Sequence, residues 1–407
     1  MRSRPGKLIN QNPTVSNARD VIPINESCSH LAKLGINPQI LGDGEINLTR
    51  QALMVFKLMT DFDKKNVIKD IKYVIKNPNS ACLVKHKANP FWRIARNINP
   101  FKNYHFMIIY RLTDSGTIVI EDIVLDTSLH GRRVESKHQR TLLYDIEKVG
   151  KARYSEENCL KKDVQNALEA WNANGSRIVP KINREHVAVN GMNNDYNTAA
   201  KLMGVHTDIA YQDDNVARYN LFHNPTDGAG YDLVECLFDK TRIFKIRNSQ
   251  QLASLILKAQ SEKRKVKWTV HSQGAIIFRS ALEQVLLKRP GLSLEGHELA
   301  VHAPGSHYSI LSILAKSLRM NVQKLRANPG DFVPNIIAFN GITSLTKLKL
   351  SSNPDLIRAC LHSTTEGGSP HTLPYLGLRT YRAGSHFVNK YDLIVPNPQQ
   401  HSHFEPY

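Results

Sequence analysis

Trp268-Thr269-Val270-His271-Ser272-Gln273-Gly274-Ala275 is the stretch that decides how this chain folds. Val266 to Val270 is a short apolar run of strand type, and residues 274–288 behind it read as a helix. A serine therefore stands at a strand-to-helix turn. A sharp turn of this kind lifts the hydroxyl clear of the backbone and sets a helix N-terminus beneath a developing oxyanion. Crowding there demands small residues two before and two after the serine. Gly274 meets the second demand, and the β-branched Val270 departs from the first, where glycine is usual. The bland reading of the same residues is a helix N-cap serine after a buried strand.

The same alternation extends outward from this point. Val187-Ala188-Val189 runs into Asn190-Gly191, Ala217 to Phe222 into His223-Asn224-Pro225, and Leu299 to Ala303 into Pro304-Gly305-Ser306. Helix-like segments near 195–204, 249–262, 274–288 and 308–319 separate these runs. Strand, loop and helix repeated in this way predict a mostly parallel sheet with helices on both faces, with sites at the carboxyl ends of the strands.

Upstream, residues 1–46 are rich in Asn, Pro, Gly and Ser and read as an irregular leader, followed by a helix over 49–59. Residues 64–76 predict a basic amphipathic helix: Val67, Ile68, Ile71, Val74 and Ile75 share one side, and Lys64, Lys65, Lys69, Lys72 and Lys76 the other. Such a helix can lie on an anionic membrane or simply show a solvated face. Phe106 to Leu112 and Ile118 to Leu125, joined by Thr113-Asp114-Ser115-Gly116-Thr117, predict a hairpin. Residues 132–174 read as helical, with Asp163 capping a helix that ends near Asn174-Gly175. The expected organisation is an N-terminal helical and irregular region (1–100), a hairpin with helices (101–180) that can add to the main sheet, and an α/β domain (181–407).

The chain has 407 residues, and 54 Lys+Arg against 36 Asp+Glu give a formal charge of +18. Residues 1–186 carry +11 and residues 187–407 carry +7, so no single basic arm holds the excess. That charge points to an anionic partner, nucleic acid or phospholipid, without specifying chemistry. Cys28, Cys82, Cys159, Cys236 and Cys360 are odd in number and widely spaced, with no zinc-type spacing. They read as reduced thiols, and no metal or cofactor is expected. Neither an apolar transmembrane run nor a secretory h-region is visible, which reads as a protein made in a cytoplasm without a signal peptide.

His271-Ser272-Gln273-Gly274 resembles the nucleophile elbow of α/β-hydrolase lipases. The wider layout is similar to the lipase-like hydrolase domains of bacterial polymorphic toxins and interbacterial effectors. The similar segments are 189–195, 219–226, 328–335 and 369–375, so the resemblance covers roughly residues 185–380. It implies an α/β-hydrolase fold, with residues 1–180 as a mixed α+β extension. It also implies a serine nucleophile and a lipid ester substrate. The Gly-containing loop after Val189 is then the source of a second oxyanion donor, so the N–H of Met192, or of Gly191, pairs with that of Gln273.

Under the chain order of this class, serine, acid, histidine, both partners follow Ser272. Asp331, in Asn328-Pro329-Gly330-Asp331-Phe332-Val333-Pro334, and Asp392, in Asn389-Lys390-Tyr391-Asp392-Leu393-Ile394-Val395-Pro396, both resemble the lipase pattern around the acid. Asp331 follows the serine by 59 positions, room for the intervening helices and strands, and is preferred. His371, in Gly367-Gly368-Ser369-Pro370-His371, is the preferred base. His386, His401 and His403 are also in order, and His403 resembles a lipase histidine near the chain end followed by an aromatic. His271 reads as packing and hydrogen-bonding support.

The expected function is therefore a serine esterase or lipase, phospholipase-like, that acts on membrane lipids as a toxin or effector. Its partners would be a phospholipid surface and an immunity or delivery protein, with export by a dedicated secretion system. The alternatives are a basic nucleic-acid-binding protein and a structural protein on an inactive hydrolase fold. The absence of helix-turn-helix, zinc-finger and RNA-binding aromatic signatures argues against the former. Val270 supports the latter.

Overall fold

The computed structural model describes residues 21–22, 46–85, 89, 91–95, 106–125, 143–153, 161–191, 195–224, 241–328, 330–342, 344–352, 354, 357, 371–372, 387–388 and 394–395. The chain divides into two units, Met1–Thr141 and Leu142–Tyr407. Both are mixed α/β, with sheets of parallel and antiparallel strands and flanking helices.

The first unit holds β1 (Val21–Ile22), β2 (Ile46–Thr49), α1 (Arg50–Leu58), α2 (Asp61–Lys76), β3 (Cys82–Lys85), β4 (Arg93–Ala95), β5 (Phe106–Leu112) and β6 (Ile118–Leu125). Its six strands lie in the order β1-β2-β6-β5-β4-β3. The hairpin β5–β6 has the expected bounds and turns through Gly116 at φ +83, where glycine carries no steric penalty. Thr60 caps α2: its Oγ1 accepts from Asp63 N at 3.2 Å and donates to Asp63 Oδ2 at 2.7 Å. Val67, Ile68, Ile71 and Val74 of that helix are buried, while Lys65, Lys69 and Lys76 face solvent. Most of the leader 1–46 lies outside the described residues, but Val21–Ile22 pair antiparallel with Leu48 and Thr49.

The second unit is built on β7 (Leu143–Lys148), α3 (Lys161–Glu169), β8 (Trp171–Ile178), β9 (His186–Val189), α4 (Tyr196–Ala210), β10 (Arg218–Phe222), α5 (Thr241–Ser261), β11 (Val266–Ser272), α6 (Gln273–Lys288), β12 (His297–Pro304), α7 (Tyr308–Ser317), β13 (Asn321–Val322) and α8 (Leu345–Ser351). The seven-stranded sheet runs β13-β12-β11-β9-β10-β7-β8. Its strands from β13 to β10 are parallel, and β7 and β8 are antiparallel additions at one edge. A separate ribbon pairs β14 (Phe387–Val388) with β15 (Ile394–Val395).

Residues 132–174 are not one helical stretch. Leu143, Tyr144 and Ile146 enter the core from β7, and Trp171 enters it from β8. The helix between them ends at Glu169, before Asn174-Gly175, with Asp163 inside it. Trp171 accounts for much of the difference. It is fully buried, and a methyl added at Gly204 of α4 would stand 2.3 Å from its ring, so α4 sits directly on β8. Trp171 Nε1 donates to Asp208 Oδ2 at 3.0 Å, and Lys148 Nζ approaches the same oxygen at 2.6 Å. Burial at this depth outweighs the weak strand propensity of Asn and Gly. The hairpin 106–125 belongs to the first unit, while β7 and β8 extend the sheet of the second.

The connections β9–α4–β10 and β11–α6–β12 run in opposite directions along the sheet. Right-handed crossovers then put α4 and α6 on opposite faces, and the carboxyl ends of β9 and β11 meet at the switch point between them. Asn190-Gly191 and Ser272 occupy those ends.

Candidate active site

Ser272 is the last residue of β11, with φ 52 and ψ −126, a strained left-handed conformation for a residue with a Cβ. A capping serine has extended backbone and its oxygen accepts from the helix. Ser272 makes no such bond to α6, so its hydroxyl is turned outward. The turn is held from the neighbouring strand. The pairing with β12 skips a residue, so that His271 faces His302 and Ser272 faces Pro304, and Gly305 N donates to Ser272 O at 2.9 Å.

The crowding expected around the serine falls on two glycines. A methyl at Gly274 would stand 2.3 Å from the Val189 carbonyl oxygen, and one at Gly191 would stand 2.6 Å from Ser272 Cβ. Val270, by contrast, is buried in mid-sheet, in register with Val189 and Val301, and the turn forms without a small residue there.

Ser272 Oγ lies 2.8 Å from His371 Nε2, and His371 Nδ1 lies 2.9 Å from Asp331 Oδ2. A carboxylate can only accept, so Nδ1 carries the proton and Nε2 accepts the serine hydroxyl. Asp331 is fully buried, and its other oxygen accepts from Val333 N at 3.0 Å. Its turn is fixed by Asp331 N donating to Asn328 O at 3.0 Å, before a π-helical turn over Val333–Ile337. His371 thus meets the serine across 99 positions of chain, and Asp331 meets His371 across 40. Asp392, His386, His401 and His403 lie outside the described residues.

Gln273 is the first residue of α6, so its N–H is free of intrahelical pairing and carries the positive end of the helix dipole. Gly191 lies against Ser272, while Met192 is outside the described residues. Behind them runs a buried amide network that sequence reasoning missed. Asn224 Nδ2 donates to Gln273 Oε1 at 2.7 Å, and Asn248 Nδ2 donates to Asn224 Oδ1 at 3.1 Å. Asn224 N donates to Asn190 Oδ1 at 2.7 Å, and Asn190 Nδ2 donates to Gly191 O at 2.8 Å. The network ties the loops after β9 and β10 to the start of α6. Its one sequence signal was the placement of Asn190 and Asn224 just past strand ends.

A second unforeseen group is a set of buried histidines. His271 Nε2 donates to the His371 carbonyl at 2.8 Å, so the residue beside Ser272 holds the backbone of His371. The His271 ring stacks on His206 of α4, with centroids 4.5 Å apart. His206 hydrogen-bonds the Thr372 backbone and, through Nδ1, His302 Nδ1 at 3.0 Å. Desolvation holds these rings neutral. It pushes His206 down to about 3 and His271 and His302 well below the usual imidazole range, with neighbouring rings adding to the effect. Among the described residues no cluster of three or more His, Cys, Asp or Glu is arranged to hold a metal ion. The cysteine side chains lie outside the described ones. No helix among the described residues is long and apolar enough to cross a membrane.

Neither a family model nor a curated protein matches this chain.

Proposed function

We propose that the chain is a serine hydrolase of α/β-hydrolase type that cleaves carboxylic esters by two-step acyl transfer. The observation that carries the reading is the hydrogen-bonded series Ser272 Oγ, His371 Nε2, His371 Nδ1, Asp331 Oδ2, at 2.8 and 2.9 Å, on a serine with φ 52. Nucleophile, base and orienting acid in hydrogen-bond reach define this chemistry by geometry and role. The chain order serine, aspartate, histidine and the nucleophile at the end of a central parallel strand support the fold assignment.

In the first step His371 Nε2 takes the Ser272 proton as Oγ attacks the ester carbonyl. Asp331 stabilises the imidazolium and does not itself take the proton. The N–H of Gln273, with that of Met192 or Gly191, holds the oxyanion. Collapse expels the alcohol, which leaves with the proton from His371, and an acyl-serine remains. Water then gives a proton to His371 and attacks the acyl carbon, and collapse returns Ser272 and releases the acid. The proposed substrate is a lipid ester and the proposed role a bacterial toxin or effector, with an immunity or delivery protein as partner. Both follow from the resemblance to lipase-like toxin domains.

The test is turnover of a p-nitrophenyl short-chain ester, with fluorophosphonate labelling, for the wild type and Ser272→Ala. Turnover and labelling in the wild type, both lost in the variant at unchanged circular dichroism, support the reading. Equal turnover in the two proteins ends it, and a folded wild type with neither signal leaves an inactive hydrolase fold.

A further inference from the structure

His371 and Thr372 are both buried, yet they stand in a turn, outside any helix or strand. A ladder of backbone hydrogen bonds is therefore not what fixes the His371 ring. Asp331 holds it at one end, with Nδ1 2.9 Å from Oδ2. At the other end His271 Nε2 donates to the His371 carbonyl at 2.8 Å, and His206 hydrogen-bonds the Thr372 backbone. Two imidazoles thus hold the main chain of two consecutive residues.

The two rings come from different elements. His271 is the penultimate residue of β11, and His206 lies in α4. They stack with centroids 4.5 Å apart and planes 25° apart. His302 of β12 backs His206, Nδ1 to Nδ1 at 3.0 Å. The His271 ring also lies 5.1 Å from that of His371. On its other side it borders the loop after β9: a methyl at Gly191 would stand 3.3 Å from His271 Nδ1 and 2.6 Å from Ser272 Cβ. One ring thus adjoins the serine, the loop at Gly191 and the turn at His371.

Packing alone does not call for histidine at these places. Burying imidazoles costs desolvation, and an aliphatic side chain would fill the space without that cost. What the rings supply and an aliphatic chain cannot is a hydrogen bond to the turn. A neutral imidazole carries a single N–H, and that of His271 is committed to the His371 carbonyl, so it is not offered to Ser272. The turn is also where position matters most, since an error of about 1 Å between His371 Nε2 and Ser272 Oγ costs about a hundredfold in rate.

We propose that His271 and His206 are positioning residues: the stacked pair clamps the turn at 371–372 from β11 and α4, and so sets His371 Nε2 at 2.8 Å from Ser272 Oγ. Neither exchanges a proton with substrate. The inference rests on the hydrolase reading for what His371 then does, and its geometric part is tested without turnover.

Four variants are compared with the wild type on a soluble p-nitrophenyl ester, with rates counted per folded molecule: His271→Leu, His271→Gln, His206→Leu and His206→Gln. Glutamine can place an amide N–H near the position of Nε2, and leucine fills space without one. His271→Leu should lower kcat by about a hundredfold with KM within about twofold of wild type, and His271→Gln should recover all but about fivefold. His206→Leu, which does not adjoin the serine, should lose about tenfold in kcat, and His206→Gln should lose less. Equal losses in the leucine and glutamine variants overturn the proposal, because filled space and not the hydrogen bond would then matter. So does a kcat within about threefold of wild type in folded His271→Leu or, where that variant does not fold, in His206→Leu. The independent readout is the low-field proton resonance of His371 Nδ1–H, bonded to Asp331 and identified by its absence from His371→Ala. It should persist in His271→Gln and vanish from His271→Leu. Persistence in both, or loss from both, overturns the clamp whether or not the wild type hydrolyses an ester. Loss from His271→Leu alone, in a protein whose wild type turns over nothing, supports the clamp and sinks only the hydrolase reading.

Discussion

Both oxygens of Asp331 are engaged, one by His371 Nδ1 and one by Val333 N. Asn at this position keeps the shape but can offer an N–H to Nδ1, which forces the proton onto Nε2 and blocks acceptance from Ser272. Asp331→Asn should lower kcat on a soluble ester by about 10⁴ while KM changes little. A loss under tenfold would remove Asp331 from the role. Asn224 is a different kind of residue, since it touches no reacting atom and acts through Gln273. Asn224→Leu leaves Gln273 Oε1 and Asn248 Nδ2 buried without their partner, a destabilisation of about 2–4 kcal/mol in urea unfolding. Its kcat should fall more than its KM rises, because the α6 terminus is no longer tied to the loop at Asn190. A purely structural role would lower stability and leave kcat per folded molecule unchanged.

At the scale of elements, α6 can reach the serine only because it sits on the end of β9. The contact is backbone to backbone: a methyl on Gly274 would meet the carbonyl oxygens of Val189 at 2.3 Å and of Asn190 at 2.9 Å. β9 is hydrogen-bonded on both sides, to β10 and β11, and cannot yield. Gly274→Ala should therefore cost about 3 kcal/mol in unfolding free energy and most of the turnover, measured by urea titration and ester hydrolysis. A variant of wild-type stability and rate would show that α6 has room to shift. The requirement at Gly274 was legible, because small residues after an elbow serine have a local steric cause. The antiparallel strands β7 and β8 were not. Leu143-Tyr144-Asp145-Ile146-Glu147-Lys148 has too few residues to separate strand from helix by period, and Trp171-Asn172-Ala173-Asn174-Gly175 has turn composition. What makes β8 a strand is its pairing with β7 and the burial of Trp171 under Gly204.

Across the whole molecule, the buried histidines set the response to acid. His206, His271 and His302 are neutral in the fold, and His297, desolvated beside Trp268, is held at about 4. Their folded-state values lie below the unfolded 6.5, so the unfolded chain binds more protons once pH drops beneath 6.5. Stability from these groups is complete above that pH and is lost as pH falls toward the folded-state values, by about 1.4 kcal/mol per pH unit for each histidine. Urea midpoints should thus be flat from pH 8 to about 7 and drop steeply from about 6 to 5. A midpoint that rises on acidification would contradict the placement of these rings in the core. Charge is spread at this scale: of the overall +18, residues 1–141 carry +10 and residues 142–407 carry +8.

What the sequence by itself determined was local: the hairpin at 106–125, the alternation of strand and helix from 186 onward, and the serine at a strand-to-helix turn. Each is set by residues within a few positions, through periodicity, turn chemistry or steric crowding. Which carboxylate and which imidazole meet the serine was open among two aspartates and several histidines, since composition around each is similar. Only the tertiary structure decided that Asp331 and His371 stand at Ser272, because contacts across 40 and 99 positions depend on how the sheet is ordered and where its loops return. The same holds for the amide network behind Gln273 and for His206 and His271 against the backbone of His371 and Thr372. Those polar groups are legible as partners only once burial removes water and leaves them to one another.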